Sequence, residues 1–227
     1  MIGEYLSLLI ESAQESSIVP PPATIQSIFS NLLDPGKDFI LPLLKEKGKE
    51  AVVEGTAMFH NRRFTGTLNV DQSILFTLLS GQNGKAARFS RKVNRGSPNN
   101  SANYIVIEVK KNQVKRKFKV TVRPDGRIDV NIDVKLLAAA MEYPQNQLSS
   151  EKEVKRLSKT LSKMLTQESQ EVTRKMQKAR CDAFGVGRQL IAFHPEVWKK
   201  KKWSQDYPKV HFNSKIKVEI IGSGILK

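Results

Sequence analysis

The sequence predicts an α+β fold: a mixed or antiparallel β-sheet packed against one long α-helix and shorter helices, preceded by a small helical region. Three observations carry this expectation. Apolar residues near the start recur at three- and four-residue steps. Between residues 104 and 136 they alternate with polar ones. From residue 150 they return to helical spacing over a long stretch.

The first element is an amphipathic helix over residues 2–15, with Ile2, Leu6, Leu9, Ile10 and Ala13 on one face. Ser16, Ser17 and the run Pro20-Pro21-Pro22 end it. A short helix follows from Thr24, a possible N-cap, to Leu33, then a turn at Asp34-Pro35-Gly36. Phe39 to Glu46 reads as one more helical piece. Ala51 to His60 reads as a strand, with Arg63 to Thr67 as its hairpin partner. Residues 71–80 form a helix opened by Asp71 or Asn69 and closed by Gly81. Residues 81–103, rich in Gly, Ser and Asn, read as a long loop.

The β region is clearest next. Ile105, Ile107 and Val109 alternate with polar neighbours, as do Phe118, Val120 and Val122, and Ile128 to Val134. A two-residue turn at Pro124-Asp125 sets Val120 against Asp129, apolar against polar. A three-residue turn over 124–126 pairs Val120 with Val130, Phe118 with Ile132 and Lys117 with Asp133, so the face rule selects it. Ser150-Glu151-Lys152-Glu153 is a capping-box sequence. It opens a helix run to about Ala183, with an inward stripe of Val154, Leu157, Leu161, Met164 or Leu165, Val172, Met176, Ala179 and Ala183. Gly185 stands at its C′ position. The last strand is Val210 to Ile221, loosened at its end by Gly222 and Gly224. The expected division is a helical region, 1–50, that closes a preceding domain, and a C-terminal domain, 51–227.

The charge narrows the partners. The net charge is +16, and residues 105–227 hold 27 basic against 13 acidic residues, +14 of that total. Such an excess favours an anionic partner: nucleic acid, a phospholipid surface or an acidic protein. One cysteine, Cys181, excludes an intrachain disulfide framework and cannot alone build a zinc site. No stretch is apolar for the ~18 residues that a spanning helix needs. The start, MIGEYLSLLIESAQE, lacks the basic region of a signal peptide, and Glu4 and Glu11 interrupt its apolar run.

Catalytic signals are sparse. The histidines are His60, His194 and His211, and none lies in HExxH or beside a cysteine; no GxSxG occurs. They read as surface or half-buried side chains. Gly185-Val186-Gly187 lacks the rest of a phosphate loop. No cofactor or metal is expected. The stretch HPEVWKKKKW, residues 194–203, is the strongest local feature. Pro195 fits the first turn of a helix. Consecutive helical residues turn by about 100° each, so Lys199, Lys200, Lys201 and Lys202 cannot all face one partner. Trp198 and Trp203 then fall on different faces. The leading expectation is that both tryptophans anchor a short helix to the core with the lysines as a solvated rim. A membrane or anionic-polymer contact ranks behind it, and a specific nucleic-acid site last, since no recognition motif supports one.

The order of these pieces resembles a known family. It runs GTAMFHNRRFTGTLN, an alternating basic β-meander, a long helix ending in ARCDAFGVGRQL, HPEVWKKKKW, and a final strand ending in glycine. The most specific residues are Gly55, Phe59, Gly66, Leu68, Ala179, Asp182, Phe184, Gly185, Gly187, Pro195, Trp198 and Trp203. Residues 51–224 resemble the spore germinant-receptor C-subunit lipoproteins, the Ger(x)C family. The resemblance implies a non-enzymatic subunit of a nutrient receptor that acts with A and B membrane subunits in spore germination. It also implies tethering to the outer face of the spore's inner membrane by a lipid on an N-terminal cysteine. This sequence has no lipobox cysteine, so that anchor and its domain are expected to lie outside the chain. Asp182, Phe184, Gly185, Gly187, Pro195 and Trp198 are then structural motif residues. Lys199, Lys200, Lys201, Lys202 and Trp203 are candidates for a membrane- or partner-facing edge. Nucleic acid is not expected as a partner. The rival reading, a basic nucleic-acid-binding protein, predicts DNA binding that collapses steeply with salt.

Overall fold

The computed structural model describes residues 2–21, 25–33, 35–94, 100–143, 148 and 150–223. The expected N-cap at Thr24, the turn residue Asp34 and the terminal Gly224 lie outside these. Helix α1 spans Ile2–Glu15 and α2 spans Ile25–Leu33. The end of α1 docks through Ser17, whose hydroxyl donates to the Ala86 carbonyl (2.7 Å) and accepts from Gly84 N–H (3.0 Å).

Residues 40–47 are not helical. They form strand β1, Ile40–Lys47, antiparallel to β2, Glu50–His60, which pairs in turn with β3, Arg63–Asn69. Pro42 disfavours a helix interior, and β1, paired only to β2, is an edge strand where proline is tolerated. The 50/51 division therefore falls one residue into β2, and β1 and β2 on its two sides belong to one sheet. Register shifts where Leu43 faces Gly55 and Leu44 faces Val53, a bulge on β2. Gly55 has φ +138, and a Cβ there would come within 2.0 Å of the Leu68 carbonyl. The β2–β3 turn is Asn61-Arg62 with φ 48° and 67°, both left-handed as a two-residue hairpin turn requires. Arginine occupies a position where glycine sits without strain.

Helix α3, Val70–Ser80, opens on Asn69, whose side chain accepts from Gln72 N–H (2.9 Å) in a reciprocal capping box. Gly81 closes it at φ 75°. Residues 81–103 are not one loop: Ala86–Lys92 is strand β4, paired with β5, Tyr104–Lys110. Its inward positions are Ala87, Phe89 and Arg91. The arginine hides the alternation from a hydropathy reading. It is buried because Glu168 takes its guanidinium on Nε (3.0 Å) and Nη2 (2.8 Å), and Asp71 takes Nη1 (3.1 Å).

Strand β6, Val114–Val122, meets β7, Ile128–Glu142, in the expected register: Val120 faces Val130, Phe118 faces Ile132 and Lys117 faces Asp133. The long β7 is the spine of the second sheet. Along one edge β6 pairs residues 128–136 and β5 pairs residues 139–142; along the other runs β8, His211–Ser223, parallel to it. A parallel pair needs a crossover, and helix α4, Glu151–Lys178, is its main part. Ser150 stands at the N-cap without a side-chain cap bond, and the Glu153 carboxylate, which would form the other half of the box, is taken by Tyr143 (2.9 Å) and Arg156 (2.7 Å). Leu157, Leu161, Leu165, Val172 and Met176 are fully buried under the sheet, each contributing roughly 1.5–3 kcal/mol of burial.

A second row on α4 binds the backbone of β8. Ser158 Oγ accepts from Ile220 N–H (3.2 Å), Ser162 from Val218 (2.8 Å) and Thr166 from Ile216 (3.0 Å), and Ser169 meets Ser214 (2.9 Å). Four helical residues rise about 6 Å, close to the ~6.7 Å of two strand residues. The two elements run in opposite directions with matched pitch, and the hydroxyls satisfy an edge that would otherwise be open.

Candidate functional site

Helix α4 ends earlier than its stripe suggests. Arg180, at φ 55°, takes the left-handed C′ position, with Cys181 N–H donating to the Met176 carbonyl (3.0 Å) and Arg180 N–H to Gln177 (2.9 Å). Gly185 is therefore not the C′ residue of α4. At φ 73° it is the N-cap of α5, Val186–Phe193. Between these ends lies Asp182, 1% exposed. Its Oδ1 accepts from Val186 N–H (2.9 Å), and its Oδ2 from Gly187 N–H (2.8 Å) and the Trp203 indole N–H (3.0 Å). Burial pushes this carboxyl up to about 7, against the pull of its three donors, and the nearby charge of Asp38 adds to the rise.

Gly187 makes this arrangement possible. A Cβ there would stand 2.9 Å from Gly36 Cα, Gly36 O and Trp203 Nε1. Gly36 in turn accepts from Arg188 N–H (2.9 Å). Two glycines thus hold the chain before β1 against α5. Asp182 completes the joint: its N–H donates to Asp38 Oδ2 (2.8 Å), and its carbonyl accepts from Asp38 N–H (3.1 Å). Phe184 packs in the core against Phe76 (5.2 Å between centroids) and Phe212 (5.9 Å).

The lysine run is a turn, not a helix. Helix α6 is Pro195–Trp198, α7 is Trp203–Asp206, and Lys199–Lys202 connect them. Because the chain turns there, Trp198 and Trp203 do not diverge; their rings pack at 5.5 Å. Both are half-buried against the core, the anchoring expected of them. Trp203 points its N–H inward to Asp182 rather than outward. Lys199, Lys200 and Lys202 are exposed and Lys201 is half-buried. Lys199 pairs with Glu196 (2.9 Å), and Lys201 reaches the Gly126 carbonyl at 3.4 Å.

Asp38 carries the corner outward. His60 Nδ1 lies 3.0 Å from its Oδ2, and His60 Nε2 lies 2.9 Å from Ser204 Oγ. The tautomer that satisfies both donates from Nδ1 and accepts at Nε2. Serine, histidine and aspartate then stand in the order of a hydrolytic triad. Asn61 Nδ2, however, lies 3.1 Å from Nε2 and 3.2 Å from Ser204 Oγ. Two donors therefore compete for the one lone pair of Nε2. The reading of His60 as half-buried holds, but Asp38, Asn61 and Ser204 were not singled out by sequence. They beckon from loops and strand ends, with no local spacing to link them.

These groups wall a cavity of about 630 Å³ between the segment before β1, the β2–β3 turn and the α6–α7 turn. Among the described residues no group of three metal-binding side chains occurs, and no helix is long and apolar enough to cross a membrane.

Residues 54–224 match the family model "Spore germination B3/ GerAC like, C-terminal". The chain belongs to that family. It is 25% identical to the spore germination protein GerQC of Bacillus cereus over 225 residues, covering 99% of this chain and 60% of that protein. The crystal structure of the GerBC protein superposes with a TM-score of 0.70 at 21% identity, covering 88% of this chain and 61% of that one. The likeness shows the shared fold, and the chain spans about three-fifths of the length of both. His60, Asp182, Trp203 and Ser204 lie within the family match, whereas Gly36 and Asp38 precede it.

Proposed function

We propose that this chain is the C-terminal part of a non-enzymatic subunit of a nutrient germinant receptor, acting in bacterial spore germination with A and B membrane subunits. The observation that carries this reading is the family match over residues 54–224, joined to the GerBC-like fold. In the full-length protein a lipid on an N-terminal cysteine tethers the subunit to the outer face of the spore's inner membrane. Residues 1–50 close the preceding domain, with β1 lent to the sheet of the C-terminal one.

The exposed Lys199, Lys200 and Lys202 suit an orienting role beside an anionic surface. Each cation that reaches such a surface gains about 1 kcal/mol, within a Debye length of ~8 Å at physiological salt. The test is affinity capture of the tagged full-length protein from detergent-solubilised dormant-spore membranes. Co-purification of the A and B subunits is the expected result. Capture of nucleic acid without membrane subunits overturns the proposal. Charge reversal of Lys199–Lys202 should weaken liposome binding or receptor assembly; if both stay unchanged, the orienting role is refuted.

A further inference from the structure

We infer that the corner cavity is a binding site for a small organic anion, a carboxylate or phosphate on a compact, flat apolar body. The volume, about 630 Å³, lies within the range of small-molecule sites, roughly 300–1,000 Å³. One side is aromatic: Trp198 and Trp203 line it together, with Phe39, itself stacked on Phe59 at 4.8 Å. Among the described residues, four basic side chains, Lys37, Arg62, Lys199 and Lys201, line it with one carboxylate, Asp38. That carboxylate already accepts from His60 and from the Asp182 backbone on the same oxygen. Ser204 and Asn61 add a hydroxyl and an amide at the wall.

Arg62 separates this site from an ordinary basic rim. It sits in a left-handed turn position where glycine is easier. Strain held at a cleft points toward function, and a guanidinium at the mouth supplies the paired donors that carboxylate and phosphate groups accept. Solvated surface lysines need neither an aromatic wall nor a strained arginine. The same chemistry serves a free solute or a lipid headgroup. The site stands independently of receptor membership: the capture experiment and the titration below can fail separately.

The chain has two tryptophans, and both line the cavity, so fluorescence excited selectively at tryptophan, beyond tyrosine absorption, reports on this site. The protein is titrated with phenyl phosphate and benzoate, with neutral benzamide, and with phosphatidylcholine vesicles with or without phosphatidylglycerol. A saturable change with the soluble anions, absent with benzamide, supports a free solute. A change confined to vesicles containing phosphatidylglycerol supports a headgroup. Arg62→Gly relieves the turn while removing the cation. It should weaken the responding anion at least tenfold while the unfolding midpoint holds or rises. The inference is overturned by no saturable response to any anion, by an equal response to benzamide, or by unchanged affinity in both Arg62→Gly and Lys201→Ala.

Discussion

Gly187→Ala tests the corner most directly, because two effects of opposite sign meet there. Gly187 lies in helix α5, and its φ is not left-handed. Alanine in a helix interior is ordinarily better than glycine by about 0.5–1 kcal/mol. Here its Cβ would stand 2.9 Å from two backbone atoms of Gly36 and from Trp203 Nε1, where ordinary contact begins at 3.4 Å. Relief of that overlap costs about 1–3 kcal/mol. Moving Trp203 strains its hydrogen bond to Asp182, moving Gly36 strains the one its carbonyl accepts from Arg188, and a lost buried hydrogen bond adds about 1–3 kcal/mol. The net expectation is a loss of about 1–5 kcal/mol. With a urea slope of about 2 kcal/mol per M, the midpoint falls by roughly 0.5–2.5 M. Gly222→Ala is the control, since nothing lies within 4 Å of a Cβ there. A Gly187→Ala midpoint equal to or above wild type would refute the close approach of α5 to residue 36.

Three other outcomes follow from the same geometry. Arg180→Gly removes a left-handed conformation that costs an L-residue about 1–2 kcal/mol; after the added freedom of the unfolded chain, thermal denaturation should show a gain of up to about 1 kcal/mol. Thr166→Val leaves the Ile216 N–H without its acceptor and should cost about 1–3 kcal/mol in urea unfolding, with faster hydrogen exchange in β8. Asp182, raised to about 7 from an ordinary value of 3.8, holds its proton more tightly when folded. Its contribution to stability is full below about pH 4 and is lost as pH rises through about 7, by at most about 1.4 kcal/mol per pH unit. Asp182→Asn should flatten that slope between pH 4 and 7; an unchanged slope would assign it to other groups.

The parts of the fold that could be read in advance are those where local pattern and tertiary environment agree. The β6–β7 register followed from one turn and a face rule, because both strands bury the same face of one sheet. The misread parts break that agreement. Arg91 occupies an inward position of β4 that hydropathy assigns to an apolar residue, and its partners Asp71 and Glu168 are 20 and 77 residues away. Strand β1 carries no alternation because it lies at an edge and contains Pro42. The hydroxyls at 158, 162, 166 and 169 did have a period, but it is visible as a sheet-binding row only once β8 lies beside it.

The corner shows the same division more sharply. Glycines at 185 and 187 beside Asp182 mark a place where backbone must approach backbone, and that much is local. Its purpose is not. Asp38 and Ser204 are 22 and 144 residues from His60, and a single side chain on a loop has no periodic neighbour to announce it. The joint is also asymmetric. Asp182 and the Val186 and Gly187 N–H groups lie in the buried half and fix the backbone, His60, Arg62 and Trp198 face the cavity, and Trp203 touches both. Substitutions on the buried side should therefore change stability first, and those on the open side should change binding with the fold intact. That separation lets the corner serve as both a structural clasp and a ligand site without one role obscuring the other.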